Sequence, residues 1–128
     1  MLNKMANEAR KSIIKMIYEA KSGHPGGSLS CIDILMYLYQ KELKLTKDNI
    51  NSNERNKLVL SKGHGAPALY AVLKEMKVLD EKELMTFRKI NSSLQGHPNM
   101  NDTKGVDMST GSLGQGISAA VGITLANK

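Results

Sequence analysis

Each of the three histidines in this 128-residue chain directly follows a glycine in the sequence. They are His24 in SGHPGGS, His64 in SKGHGAP and His97 in LQGHPN. An imidazole can donate or accept a proton near neutral pH, and a neighbouring glycine lets the backbone turn tightly and approach a ligand closely. If the fold brings these three loops together, the pattern favours a site for proton transfer or anion binding.

The surroundings of His64 favour an anion. Residues 58–60 form a short apolar run, as a strand buried on both faces requires. Pro67 fits the first turn of a helix, and apolar residues at helical spacing continue to Met76. Because the start of a helix presents free N–H groups and positive potential, the Gly63-His64-Gly65 turn suits a phosphate. Taken by itself, the motif favours a histidine that only packs or caps in a turn.

A second glycine-rich stretch, STGSLGQG, runs from Ser109 to Gly116. Its glycines allow close approach by another molecule or another backbone, or serve packing alone. The spacing G-x-x-G-x-G differs from the dinucleotide-binding pattern, and the acidic residue which that pattern needs is absent. The following segment is rich in small residues, and Ala119, Ala120 and Gly122 predict a helix packed tightly against its neighbours.

Amphipathic patterns predict the helices that position the first two loops. An apolar stripe indicates a helix from about residue 3 to residue 21. After the His24 loop, a second helix should end near Leu43, with Ser30 and Asp33 as a capping pair. The polar segment 44–56 is a surface connection.

The second half of the chain contains shorter elements. Asp80 and Glu83 form a capping box for a short helix that ends near Phe87. A long polar loop over residues 91–104 carries His97, and loops of this kind are often functional. Residues 106–109 are a candidate for a second short strand.

Composition excludes several classes of protein. The chain has 41% hydrophobic residues and no apolar tract long enough to cross a membrane, so we expect no membrane partner. The net charge is +6, but with one Phe and no Trp the chain lacks the aromatic platform of a single-strand nucleic-acid binder. Cys31 is the only cysteine, and the first residues do not form a secretory signal. These features favour a cytoplasmic protein that does not bind nucleic acid.

Four motifs together resemble, in order and separation, the amino-terminal half of transketolase. They are SGHPGGSLS, LVLSKGHGAPALYAVL, LQGHPN and GVDMSTGSLGQGISAAVG. Ser112 stands where single-chain transketolases usually have proline, and Asn99 where they usually have an acid. Both departures resemble the amino-terminal subunit of two-gene transketolases, so a carboxy-terminal subunit or domain is the implied partner, in an assembly that is a homo-oligomer.

The resemblance implies an α/β fold, in which residues 1–128 form a helix-rich, incomplete portion of a thiamine-diphosphate (PP-type) binding domain with a parallel sheet flanked by helices. It also implies transfer of a two-carbon ketol unit from a ketose phosphate to an aldose phosphate, with thiamine diphosphate and Mg²⁺ as cofactors of the complete enzyme. By motif, His24 and His97 face the oxygens of the sugar phosphate. His64 contacts the cofactor diphosphate, and Gly111, Ser112 and Leu113 contact the cofactor through main-chain atoms.

The Gly-Asp-Gly segment that holds Mg²⁺ and diphosphate in this family is absent from these 128 residues. We therefore expect the chain by itself neither to bind thiamine diphosphate tightly nor to catalyse. With only one well-defined strand, a complete parallel sheet is not expected either. The chain should instead associate with itself or adopt a helix-dominated fold.

Two alternatives compete with this interpretation. Three histidines could ligate a catalytic metal, although their wide separation is unlike known zinc motifs. The chain could also be a non-catalytic interaction module that only binds a complementary subunit.

Overall fold

The computed structural model describes residues 2–127, and every regular element in that range is helical. The α-helices are α1 (Leu2–Ala20), α2 (Pro25–Leu29), α3 (Ile32–Tyr37), α4 (Ala66–Glu75), α5 (Glu81–Leu84) and α6 (Gln115–Ala126). A π-helical turn, Leu38–Glu42, extends α3, and a 3-10 turn, Gly63–Gly65, leads into α4. None of the helices in this range is both long and apolar enough to span a bilayer.

Helix α4 is the centre of the fold. Its residues 66–73 are all buried, as expected of a helix that is apolar on every side. Helix α1 packs against it through a stripe in which Ala9, Ile13 and Met16 are fully buried. Because truncating a fully buried isoleucine to alanine costs about 2–5 kcal/mol, this contact contributes strongly to the framework that holds the loops.

The sequence predicted most helices correctly. Helix α1 matches the helix expected over 3–21, and Pro67 lies in the first turn of α4. The capping box is also confirmed, since Asp80 Oδ1 accepts from the Glu83 N–H at 2.8 Å and Glu83 Oε2 accepts from the Asp80 N–H at 2.7 Å.

The capping pair expected at Ser30 and Asp33 is wrong. The residue that caps α3 is Cys31, which makes no side-chain capping bond. Ser30 Oγ instead donates to the Gly27 carbonyl at 3.4 Å, and Asp33 forms an ion pair with Arg10 on α1. Asp33 therefore joins two helices where the local pattern indicated a helix start.

The strands expected at 58–60 and 106–109 are not present within residues 2–127. The two regions do lie side by side. The backbone hydrogen bonds of a sheet are mostly replaced by hydrogen bonds between side chains of one segment and the backbone of the other. Asp107 Oδ2 accepts from the Leu58 N–H at 2.8 Å, and Thr110 Oγ1 donates to the Leu60 carbonyl at 2.7 Å. Further along, the Gly114 N–H donates to the Ser61 carbonyl at 3.1 Å. The contacts advance in the same direction along both segments.

Helix α6 differs most from its prediction. Gly116 packs closely against Ser61, but a β-carbon added at Gly122 would meet nothing within 4 Å. The tight packing expected of its small residues is therefore wrong for most of this helix in the described part of the chain. Ile117, Val121 and Leu125 are 65%, 55% and 64% exposed. Lys128, the last residue of the sequence, lies outside the described residues.

Candidate functional site

The rings of His24 and His64 are in edge-to-face contact, with centroids 5.1 Å apart and an interplanar angle of 68°. His24 directly precedes α2, and His64 lies in the 3-10 turn before α4. Gly27 makes room for this pair, because a β-carbon there would lie 3.1 Å from both Cδ2 and Nε2 of His64. The glycine of the first histidine loop thus accommodates the histidine of the second.

Lys62 connects the same two loops by hydrogen bonds. The sequence analysis did not assign it a role. Its Nζ donates to the Gly27 carbonyl at 2.6 Å and lies 3.2 Å from Ser30 Oγ. A cation is thereby fixed two residues before His64. Its position in the SKGHG motif could have indicated this role, because the motif contains the turn that was expected to bind an anion.

His97 is connected to the other two histidines through the glycine-rich segment. Its ring lies beside Gly111, where an added β-carbon would be 3.7 Å from Cδ2. Gly63 in turn abuts the Thr110–Gly111 peptide, since a β-carbon on Gly63 would lie 2.8 Å from the nitrogen of Gly111. Contacts therefore run from His97 through Gly111 and Gly63 to His64 and His24.

Tyr70 of α4 supports the backbone of the His97 loop. Its hydroxyl lies 2.8 Å from the Gln95 carbonyl and 3.4 Å from the His97 carbonyl. Burial raises the pKa of this phenol, so its proton remains available for donation across the neutral range. The sequence showed Tyr70 only as part of an apolar helix, and no local pattern indicated its contact with the loop.

Residues 112–114, which follow the partly buried Gly111, are exposed. Ser112 and Leu113 are exposed, with Leu113 at 67%. Gly114 has a φ of +82°, which disfavours other residues, and its α-carbon faces open space. A ligand can therefore approach the backbone at Gly114 without meeting side-chain bulk.

Within the described range, no three side chains of His, Cys, Asp or Glu come together as a set of metal ligands. In this part of the chain, the rings of His24, His64 and His97 lie beside glycines or beside one another. The surroundings of the three rings therefore suit proton transfer and anion binding better than metal ligation.

The family model described as "Transketolase, thiamine diphosphate binding domain" matches residues 1–128, which is the whole chain. The chain belongs to the transketolase family. The resemblance inferred from the four histidine and glycine motifs is thereby confirmed.

Two similar proteins are separate transketolase subunits. The 6-deoxy-6-sulfo-D-fructose transketolase subunit of a Clostridium species is 46% identical over 125 residues, which cover 98% of this chain and 46% of that protein. An apulose-4-phosphate transketolase subunit from Phocaeicola vulgatus is 35% identical over 127 residues, covering 99% of this chain and 45% of that one. The chain thus spans just under half the length of these transketolase subunits.

Solved transketolases share the fold. The enzyme from Leishmania mexicana superposes with a TM-score of 0.89 at 34% identity, over 95% of this chain and 18% of that one. The Pichia stipitis enzyme in complex with sedoheptulose 7-phosphate gives 0.85 at 30% identity, over 98% and 18%. The chain therefore has the fold of the matching part of a transketolase. The regular elements of residues 2–127 are helices.

The chain offers features that suit an anionic cofactor. The hydroxyls of Ser28 and Ser61 are buried without a hydrogen-bond partner among the described residues. In the sequence, Ser28 directly follows Gly27 and Ser61 directly precedes Lys62. Unpartnered buried hydroxyls are uncommon in folded proteins. The His64 imidazole and the Lys62 ammonium, held at the same junction, are the groups here that suit an anionic ligand.

Proposed function

We propose that this chain is the amino-terminal, thiamine-diphosphate-binding part of a transketolase that moves a two-carbon ketol unit from a ketose phosphate to an aldose phosphate. The contact of His24 with His64 is the observation that carries the proposal. Two loops that are distant in sequence place their imidazoles together, and Gly111 connects the third histidine to them. Such a grouping suits a reaction that needs both anion binding and proton transfer.

His64 and the main chain of Gly111, Ser112 and Leu113 would hold thiamine diphosphate, with Lys62 adding positive charge beside them. The bound cofactor would supply a nucleophile for the ketose carbonyl and an electron sink for the carbanion that is left when the C2–C3 bond breaks. Imidazole and ammonium donors would neutralise the charge of the diphosphate. Mg²⁺ and the rest of the cofactor's binding site would come from the complete enzyme.

His24 and His97 would move protons at the sugar oxygens. As the C2–C3 bond of the ketose breaks, the C3 hydroxyl loses a proton and becomes the carbonyl of a shortened aldose. When the two-carbon unit joins the acceptor aldehyde, the carbonyl oxygen of the acceptor takes up a proton and becomes a hydroxyl. A neutral imidazole accepts the first proton and returns one in the second step, so the reaction balances.

A carboxy-terminal transketolase subunit or domain is the proposed partner, within a homo-oligomeric assembly in the cytoplasm. The exposed apolar residues of α6, among them Ile117, Val121 and Leu125, support an assembled state in which this helix is covered. We propose neither nucleic acid nor membrane as a partner.

The test is reconstitution. Residues 1–128 replace the matching part of a transketolase amino-terminal subunit, so that the Gly-Asp-Gly segment is supplied. This subunit is mixed with a carboxy-terminal transketolase subunit, thiamine diphosphate and Mg²⁺, and is then given sedoheptulose 7-phosphate and glyceraldehyde 3-phosphate. We expect two pentose phosphates by mass spectrometry, and their loss in His24→Ala. A complex that forms but yields no pentose phosphates with the wild-type chain would favour the non-catalytic interaction module.

Calorimetry of the 128-residue chain with thiamine diphosphate tests the expectation of weak binding, which micromolar affinity would contradict.

A further inference from the structure

Arg88 lies directly between two of the histidine loops. Its Nη1 donates to Ser22 Oγ at 2.7 Å, and Ser22 is two residues before His24. The same guanidinium packs on Gly96, which immediately precedes His97: a β-carbon built on Gly96 would lie 2.9 Å from Nη2 and 3.0 Å from Cζ. One planar group thus contacts both loops.

The backbone of Arg88 is held in an unfavourable conformation. Its φ is +61°, a region that residues with a β-carbon rarely occupy. The Arg88 N–H donates to the Leu94 carbonyl at 2.9 Å, and the guanidinium carbon lies 5.4 Å from the centroid of the Phe87 ring. The turn and the aromatic ring together direct the side chain across the His97 loop.

One hydrogen-bond donor of the Arg88 guanidinium has no acceptor in the described part of the chain. Its Nε is buried and has no acceptor among residues 2–127. A buried donor without a partner lowers stability, as does a left-handed backbone in arginine. Because both features oppose stability at one residue, a role in the site explains its position better than a role in the core.

A pocket of about 450 Å³ opens beside this guanidinium. Its lining residues are Ala20, Ser22, Arg88, Gln95, Gly96 and His97. The pocket is therefore bounded by both histidine loops, with Arg88 between them. Any change in the spacing of the loops changes the position of His97 relative to His24.

We infer that Arg88 is a positioning residue, whose guanidinium sets the separation of the His24 and His97 loops for proton transfer at the sugar oxygens. The inference rests on the proposed ketol transfer. A misplacement of about 1 Å can lower a rate by roughly 100-fold, so Arg88→Ala should lower kcat by about 10- to 100-fold. Affinity for thiamine diphosphate should not change, because Arg88 does not contact the His64 turn.

A substitution at Gly96 tests whether Arg88 acts by positioning the loops or only by stabilising the fold. The φ of Gly96 is not in the left-handed region, so alanine is compatible with the backbone, and the added methyl group meets the flexible end of Arg88. Gly96→Ala should displace the guanidinium and lower kcat as Arg88→Ala does. In the Arg88→Ala background the same methyl group has free space and should add no further loss. Arg88→Lys should restore little, since an ammonium lacks the planar fork.

The experiment measures kcat, KM and cofactor affinity of these variants in the reconstituted enzyme, with sedoheptulose 7-phosphate and glyceraldehyde 3-phosphate as probes. Arg10→Ala is the matched control, because the Arg10 guanidinium bonds to Asn7 and Asp33 rather than to either histidine loop. The inference is overturned if Arg88→Ala affects kcat no more than Arg10→Ala does, or if the losses from Arg88→Ala and Gly96→Ala multiply.

A second measurement separates this inference from the proposed function. The imidazole resonances of His24 and His97 should both shift in Arg88→Ala and Gly96→Ala, and neither should shift in Arg10→Ala. If the wild-type enzyme transfers no ketol unit but both resonances shift, the proposed function fails while the positioning role of Arg88 stands. Unchanged resonances in Arg88→Ala would overturn the inference.

Discussion

The imidazole of His64 lies against the α-carbon of Gly27 and edge to face with the ring of His24. The histidine of one loop thus fits only because a glycine of another loop leaves room for it. Lys62 strengthens the same junction through its bond to the Gly27 carbonyl. The geometry of the candidate cofactor site therefore depends on the absence of a side chain at Gly27.

Gly27→Ala should disturb this site and Gly26→Ala should not. A β-carbon on Gly27 would be 3.1 Å from the His64 ring, whereas one on Gly26 meets nothing within 4 Å. Since small displacements of catalytic groups are costly, we expect kcat/KM to fall by about 10- to 100-fold in Gly27→Ala. Steady-state kinetics of the reconstituted enzyme provides the measurement. Equal effects of the two substitutions would show that the His64 contact is unimportant.

The three histidines should differ in what their removal changes. His24→Ala and His97→Ala remove proton transfer, so kcat should fall by about 100- to 10,000-fold with little change in cofactor affinity. His64→Ala removes a donor to the diphosphate, and loss of a bond to a charged group, worth about 1.5–3 kcal/mol, should weaken thiamine diphosphate binding by roughly 10- to 100-fold. Calorimetry and kinetics on the same preparations separate the two effects. A uniform loss of cofactor binding in all three variants would contradict these roles.

The ion pair of Arg55 and Asp107 should be important for stability. Their side chains are only 8% and 4% exposed, and Asp107 also accepts from the Leu58 N–H. Because Asp107→Ala leaves a buried guanidinium without its carboxylate, we expect the free energy of unfolding to fall by about 3–5 kcal/mol. Urea unfolding followed by circular dichroism measures this change.

The matched control is Asp33→Ala, which removes a carboxylate from the Arg10 ion pair. The Asp33 side chain is 65% exposed, so the expected loss is about 1 kcal/mol or less. A comparable loss in both variants would mean that burial does not decide the contribution of the Asp107 pair.

Tyr70 should make the protein sensitive to alkali. Burial raises the pKa of its phenol above the ordinary 10.0. As the pH rises past about 10, the unfolded chain loses this proton before the folded chain does, so the free energy of unfolding falls. A single group of this kind contributes at most about 1.4 kcal/mol per pH unit.

Tyr70→Phe should therefore show a shallower decline in stability above about pH 10 than the wild type. Urea unfolding at several pH values gives the slope, and Tyr18→Phe serves as the control because Tyr18 is 76% exposed. Identical slopes for Tyr70→Phe and the wild type would show that the Tyr70 phenol ionises equally easily in both states.

Local patterns in the sequence were sufficient for α1, for the start of α4 and for the capping box of Asp80 and Glu83. Each depends on residues within a few turns of one another, where helical periodicity and capping chemistry act directly. The same reasoning failed at 58–60, because an apolar run becomes a strand only when a neighbouring backbone pairs with it. Here Asp107 and Thr110 satisfy those backbone groups with side chains.

By itself, the sequence determined the three glycine-histidine loops, the glycine-rich segment before α6 and the family, because residue types and their order along the chain carry that information. Only the tertiary structure decided that His64 fits against Gly27, that Tyr70 and Lys62 hold the loops, and that Arg88 contacts both Ser22 and Gly96. These contacts join segments far apart in the chain. Their existence follows from how α1 and α4 pack, and no local periodicity encodes that arrangement.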